Sequence, residues 1–83
     1  MAIYREKSPK VEAIRWTSDN VTAAWMFAGE FGRSMNADDQ SLNLMTPAGV
    51  RRVCQGDWII KDESGGFYPC SHAIFVMTYE AVE

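Results

Sequence analysis

One stretch, GDWIIKDESGGFYPC from Gly56 to Cys70, limits the folds open to this chain more than any other. Trp58, Ile59 and Ile60 form a run of aromatic and β-branched residues suited to a pleated, half-buried surface, and Phe67 and Tyr68 form a second. Between them ESGG holds two glycines, which reach positive φ without the steric cost of a Cβ, so a turn and a returning strand are predicted. Pro69 has no N–H to donate and limits how far that strand can pair.

The rest of the chain is read around this hairpin. VEAIRWT predicts a first strand over Val11–Thr17, with Ile14 and Trp16 on one face. SDN then supplies a helix start, with Asn20 or Asp19 accepting a hydrogen bond from a free backbone N–H. Val21, Ala24, Trp25 and Ala28 recur at i, i+3, i+4 and i+7 and predict a helix over Val21–Ala28, closed by Gly29. Glu30–Ser41 is polar and reads as a loop of variable structure. LNLMT, PAG and VRRVC read as a further hairpin. SHAIF reads as one helical turn capped by Ser71, after which VMTYEAV returns as a final strand. The 83 residues support one core and little more. The expected architecture is a small single α+β domain over residues 1–83, a mostly antiparallel sheet of about five strands with one α-helix packed on one face.

Charge narrows the partners. Eight Lys and Arg against eleven Asp and Glu give a net charge of −3. That balance serves a general nucleic-acid binder poorly, because such affinity rests on neutralising phosphates; a basic protein surface is a better match. Residues 1–15 carry Arg5, Lys7, Lys10 and Arg15 against Glu6 and Glu12, so the remainder is the acidic part. No apolar run approaches the ~20 residues that span a bilayer, and MAIYREKSPK lacks the apolar core of a secretory signal. A cytoplasmic protein is expected, and a homodimer is compatible with its size. Cys54 and Cys70 are too few and too far apart for a disulfide framework or a CxxC motif. Both are expected as buried free thiols, with Cys70, if exposed, the candidate for an intermolecular disulfide.

Few groups are arranged for catalysis. His72 follows Cys70 by two positions, but a helical turn starting at Ser71 breaks their shared face and nothing is spaced to orient the imidazole. Cys54, Cys70 and His72 would leave zinc one ligand short. Adjacent carboxylates in loops, Asp38/Asp39 and Asp62/Glu63, are more simply solvated than paired for acid–base work. Neither GxGxxG nor GxxxxGK[ST] occurs. The chain is expected to be no enzyme and to use no cofactor or metal.

Binding fits better. Trp16 and Trp58 suffice to centre a small core, which leaves Trp25, Phe67 and Tyr68 as surplus aromatics of the kind that anchor interfaces. Arg51 and Arg52 are consecutive in a strand and face opposite sides, so at least one is expected at the surface.

VEAIRW near the start, then GDWIIK, a glycine turn, FYPC, IF and TYE, resembles a group of short phage and prophage proteins with a PGDYG-like motif. Gln55-Gly56-Asp57-Trp58 stands where the motif has its proline and tyrosine. The resemblance covers both ends of the chain but not Glu30–Ser41. It implies a phage accessory protein without catalytic residues. By analogy with anti-CRISPR proteins, such a protein inhibits a host defence complex stoichiometrically and blocks its nucleic-acid channel. Glu30, Asp38, Asp39, Asp62 and Glu63 are the expected partner-binding residues. The alternative is a sponge for a nucleotide signal, held in a pocket or between subunits by Arg51, Arg52, Lys61 and Tyr68.

Overall fold

The hairpin signals in the sequence become strands, but those strands divide between two sheets. The structure is a computed structural model that describes residues 11–80. In chain order the elements are β1 (Glu12–Arg15), α1 (Val21–Ala28), a 3-10 turn (Gly29–Phe31), β2 (Gly32–Met35), β3 (Leu42–Thr46), β4 (Gly49–Val53), β5 (Trp58–Lys61), β6 (Phe67–Cys70) and α2 (His72–Thr78). One sheet has the order β1-β5-β6 and the other β2-β3-β4, every pair antiparallel. The α+β class stands. The expected single sheet of about five strands with one helix is corrected to two three-stranded sheets with two helices.

Strand alternation decides what enters the core. Ile14 lies opposite Ile59, and Lys61 opposite Phe67, on the inward face of the first sheet. Leu42, Leu44 and Val53 supply the second sheet's contribution, and Ala24 and Ala28 that of α1, around a fully buried Trp16. Ile14, Val21, Trp25, Phe27 and Phe31 pack partly buried against this cluster. Pro69 sits opposite Ile59 on the edge strand β6, where a missing N–H costs least.

Three local expectations change. Glu30–Ser41 is not all loop, because β2 pairs with β3 although its sequence, GRSM, has no apolar alternation. Polar side chains make up the difference. Asn36 Nδ2 donates to Ser41 Oγ (2.9 Å) and Asn43 Oδ1 (3.0 Å), while Asn43 Nδ2 donates to Ser34 Oγ (2.9 Å). Asn20 precedes α1 but makes no side-chain cap; its Nδ2 donates instead to the Arg15 carbonyl (3.1 Å) and ties the helix start to β1. The final strand does not form within the described residues, since α2 continues through Val76, Met77 and Thr78. Helical spacing is what sets His72, Phe75 and Tyr79 on one side, where a ring of β5 awaits them. Ala81 and Val82 lie outside the described residues, as do Arg5, Lys7 and Lys10. Among the described residues no helix is long and apolar enough to cross a membrane.

Gly32 marks the tightest approach between α1 and the second sheet. A Cβ there would stand 2.9 Å from two ring carbons of Trp25, whose ring is held edge-on to Trp16 with centroids 6.3 Å apart. Gly32→Ala should therefore destabilise by about 1–3 kcal/mol through overpacking. The expected reading is a lower urea midpoint at unchanged slope; an unaltered midpoint would show that Trp25 has room to move.

Candidate functional site

Trp58 organises the outward face of the first sheet. Its neighbour Ile59 points into the core, so alternation turns Trp58 outward, on the same face as Cys70 opposite it. The expectation of Trp58 as a core residue is corrected: it is half-buried, and α2 covers it. Phe75 stacks on its ring with centroids 3.9 Å apart and planes within 6°, and His72 lies parallel at 6.4 Å. Trp58 Nε1 donates to His72 Nδ1 (3.1 Å), and Tyr79 extends the stack beyond Phe75 at 5.1 Å. Ser71 caps α2 as expected, its Oγ accepting from the Ile74 N–H (3.3 Å).

The same geometry fixes the opposite side of α2. With His72, Phe75 and Tyr79 turned to Trp58, Ile74 and Met77 face away and are 60% and 86% exposed, while Val76, next to the His72 side, is 56% exposed. None of the seven residues of α2 is buried, and none is charged. The strand expected over VMTYEAV hid this face. The signal that could have found it is the i, i+3, i+7 spacing of His72, Phe75 and Tyr79.

The candidate acidic residues have unequal roles. Asp39 Oδ1 accepts from the Ser41 N–H (2.9 Å), and its Oδ2 meets Arg52 Nη1 at 3.4 Å. The Ser41 hydrogen bonds, with Arg52 a lesser influence, hold its carboxyl below the ordinary value. Asp62 organises the β5–β6 turn. Its Oδ1 accepts from Ser64 Oγ (2.6 Å), Ser64 N–H (3.0 Å) and Gly66 N–H (2.9 Å), and the Ser64 contact leads in lowering its pKa. Glu30, Asp38 and Glu63 are exposed. Glu30 and Asp38 flank opposite ends of β2, and Glu63 lies in the β5–β6 turn.

Arg51, Arg52, Lys61 and Tyr68 are not brought into a common pocket. Arg51 and Arg52 are both exposed on opposite faces of β4, and Arg52 is engaged by Asp39. Lys61 Nζ lies 5.9 Å from the Phe67 ring centroid, whereas Tyr68 is on the other face of the first sheet. The thiols also differ from expectation. Cys54 is exposed, while Cys70 is half-buried, so Cys54 is the better placed for an intermolecular disulfide. Cys70 Sγ donates to the Ser71 carbonyl (3.5 Å) and His72 Nδ1 is occupied by Trp58, which engages both groups elsewhere than with each other. Among the described residues no three His, Cys, Asp or Glu converge on a metal position. No protein-family model, curated protein or solved structure matches the chain.

Two measurements follow from these environments. Burial, aided by the Asp57 carboxylate, raises the Cys70 pKa and so lowers its thiolate fraction. Iodoacetamide should alkylate Cys54 before Cys70 in the native protein, as read by peptide mass spectrometry; the reverse order would contradict this arrangement. The Asp62 carboxyl, lowered in the folded state, stabilises the fold above its ordinary value of 3.8, and that contribution is lost as pH falls through the lowered folded value. The Tm gap between wild type and Asp62→Asn should be open near neutral pH and narrow toward about pH 2. A gap independent of pH would remove charge from the explanation.

Proposed function

We propose that the chain acts by stoichiometric binding to a basic protein surface and is not an enzyme. The carrying observation is that its excess negative charge is left largely unneutralised. Arg52–Asp39 is the one ion pair among the described residues, and Glu30, Asp38 and Glu63 stand exposed at separate turns. Carboxylates spread in this way create a field around the molecule that steers encounter with a basic partner. A nucleic-acid channel is the basic surface most open to such competition. Together with the resemblance to short phage proteins, this supports inhibition of a host nucleic-acid-guided defence complex as the target reading.

The structure refines which residues should be tested. Asp39 and Asp62 hold turns together, so substituting them would confuse stability with binding. Glu30→Lys and Glu63→Lys, combined in one variant, leave the turn bonds in place, whereas Asp38→Lys would remove the bond that Asp38 Oδ1 accepts from the Asp39 N–H (2.9 Å). In a competition assay with a purified RNA-guided defence complex and its DNA target, wild type should displace DNA. The variant should lose about tenfold or more in potency at low ionic strength, with a smaller loss at high salt. Equal potency of the two proteins at low salt would refute the electrostatic reading, and no displacement by wild type from complexes of several classes would refute the target.

A further inference from the structure

We propose that the Trp58–His72 pair is a proton-sensitive latch: α2 is docked on β5 while His72 is neutral and loosens when acid adds a proton to its imidazole. This goes beyond the partner-binding reading and uses none of its acidic residues.

Geometry is the first argument. Trp58 Nε1 donates to His72 Nδ1 at 3.1 Å, and an indole N–H can only donate. Nδ1 must therefore offer a lone pair, which it has in neutral imidazole with the proton on Nε2. In the imidazolium both ring nitrogens carry N–H, and two donors would point at each other across this contact. The rings offer no compensation. Centroids 6.4 Å apart, planes 11° apart and a nitrogen contact of 3.1 Å set the imidazole beside the indole edge and not over its face. A cation is drawn to the negative face of an aromatic ring, whereas the edge is positive.

The surroundings also disfavour the charged form. Arg15 of β1 and Cys70 of β6 lie directly opposite Trp58, Asp57 precedes it, and Tyr79 and Glu80 follow the end of α2. Arg15 is a cation on the same face. Asp57 Oδ2 accepts from the Cys54 N–H (3.1 Å). Among the described residues no carboxylate forms an ion pair with His72.

The helix depends on this pair because it has little else. Its seven residues are far fewer than a helix needs to be stable alone in water, and none of them is buried. The Ser71 cap acts within the helix itself. Docking rests on the His72 bond and on Phe75, whose ring stacks on the same indole at 3.9 Å. The chain has one histidine, and imidazole is the side chain that ordinarily titrates between about pH 5 and 8. Docking is therefore favoured above that range and weakened as pH falls through it.

Heteronuclear NMR at about pH 8 and pH 5 tests the proposal. The Phe75 N–H, bonded to the Ser71 carbonyl (2.8 Å), and the Tyr79 N–H, bonded to the Phe75 carbonyl (2.9 Å), report on α2. Their exchange protection, corrected for the intrinsic effect of pH, should fall about fivefold or more in wild type at the lower pH. The Trp16 N–H, bonded to the Asp57 carbonyl, should keep its protection. The Trp58 indole resonance should move with α2. His72→Gln, whose carboxamide oxygen can accept at either pH, and Trp58→Phe, which has no N–H to donate, should both lose the pH dependence. His72→Arg, a permanent cation, should leave α2 loose at both values. Equal protection of α2 in wild type at the two pH values would overturn the proposal. A loss of wild-type size persisting in either His72→Gln or Trp58→Phe would overturn it by placing the responsible proton elsewhere.

Discussion

The burial of Trp16 is the constraint on which the remaining structure depends. A tryptophan with no exposed surface must satisfy its indole N–H inside the protein, and here Nε1 donates to the Gln40 carbonyl (2.8 Å). Gln40 holds that carbonyl in place from a left-handed backbone conformation (φ 57°) uncommon for a side chain of its kind. Gln55 Nε2 donates to the same oxygen (3.0 Å). The Trp16 backbone completes the junction, its N–H donating to Asp57 O (2.8 Å) and its carbonyl accepting from the Gly56 N–H (2.7 Å). A single residue thus ties β1 to the β2–β3 loop of one sheet and to the start of β5 in the other.

Positions near this junction follow from it. Trp25 meets Trp16 edge to face, and the missing Cβ of Gly32 leaves room for the Trp25 ring between α1 and β2. Gly56 combines a positive φ of 93° with a backbone hydrogen bond to Trp16, and Arg15 Nε donates to its carbonyl (2.9 Å). These contacts fix where β5 begins. Its starting point decides that Ile59 faces the core and Trp58 faces out, and therefore where α2 can dock.

The surface divides into two kinds of region. Polar side chains at turns satisfy backbone groups first: Asp39 serves Ser41, Asp62 serves Ser64 and Gly66, and the Asn36–Asn43 pair joins β2 to β3. Asp38 Oδ1 likewise accepts from the Asp39 N–H (2.9 Å), while the exposed carboxylates of Glu30 and Glu63 add to the outward charge. The helix α2 carries no charge, and its Ile74, Val76 and Met77 are largely exposed.

Local patterns determined much of this protein by themselves. The spacing of Val21, Ala24, Trp25 and Ala28 specified α1 over its observed bounds, and the glycine turns specified the β3–β4 and β5–β6 hairpins, because helix periodicity and turn stereochemistry act within a few residues. Ser71 likewise marked the start of α2. Long-range competition lay beyond those patterns. Nothing local to GRSM shows that Asn36 and Asn43 will hydrogen-bond it into a sheet, and VMTYEAV has a strand's composition until Trp58 supplies a ring on which helical spacing stacks. Composition set an acidic net charge of −3, while tertiary structure decided which acids hold turns and that Ile74, Val76 and Met77 are exposed. Burial and hydrogen-bond partners come from residues distant in sequence, so only the assembled fold could assign them.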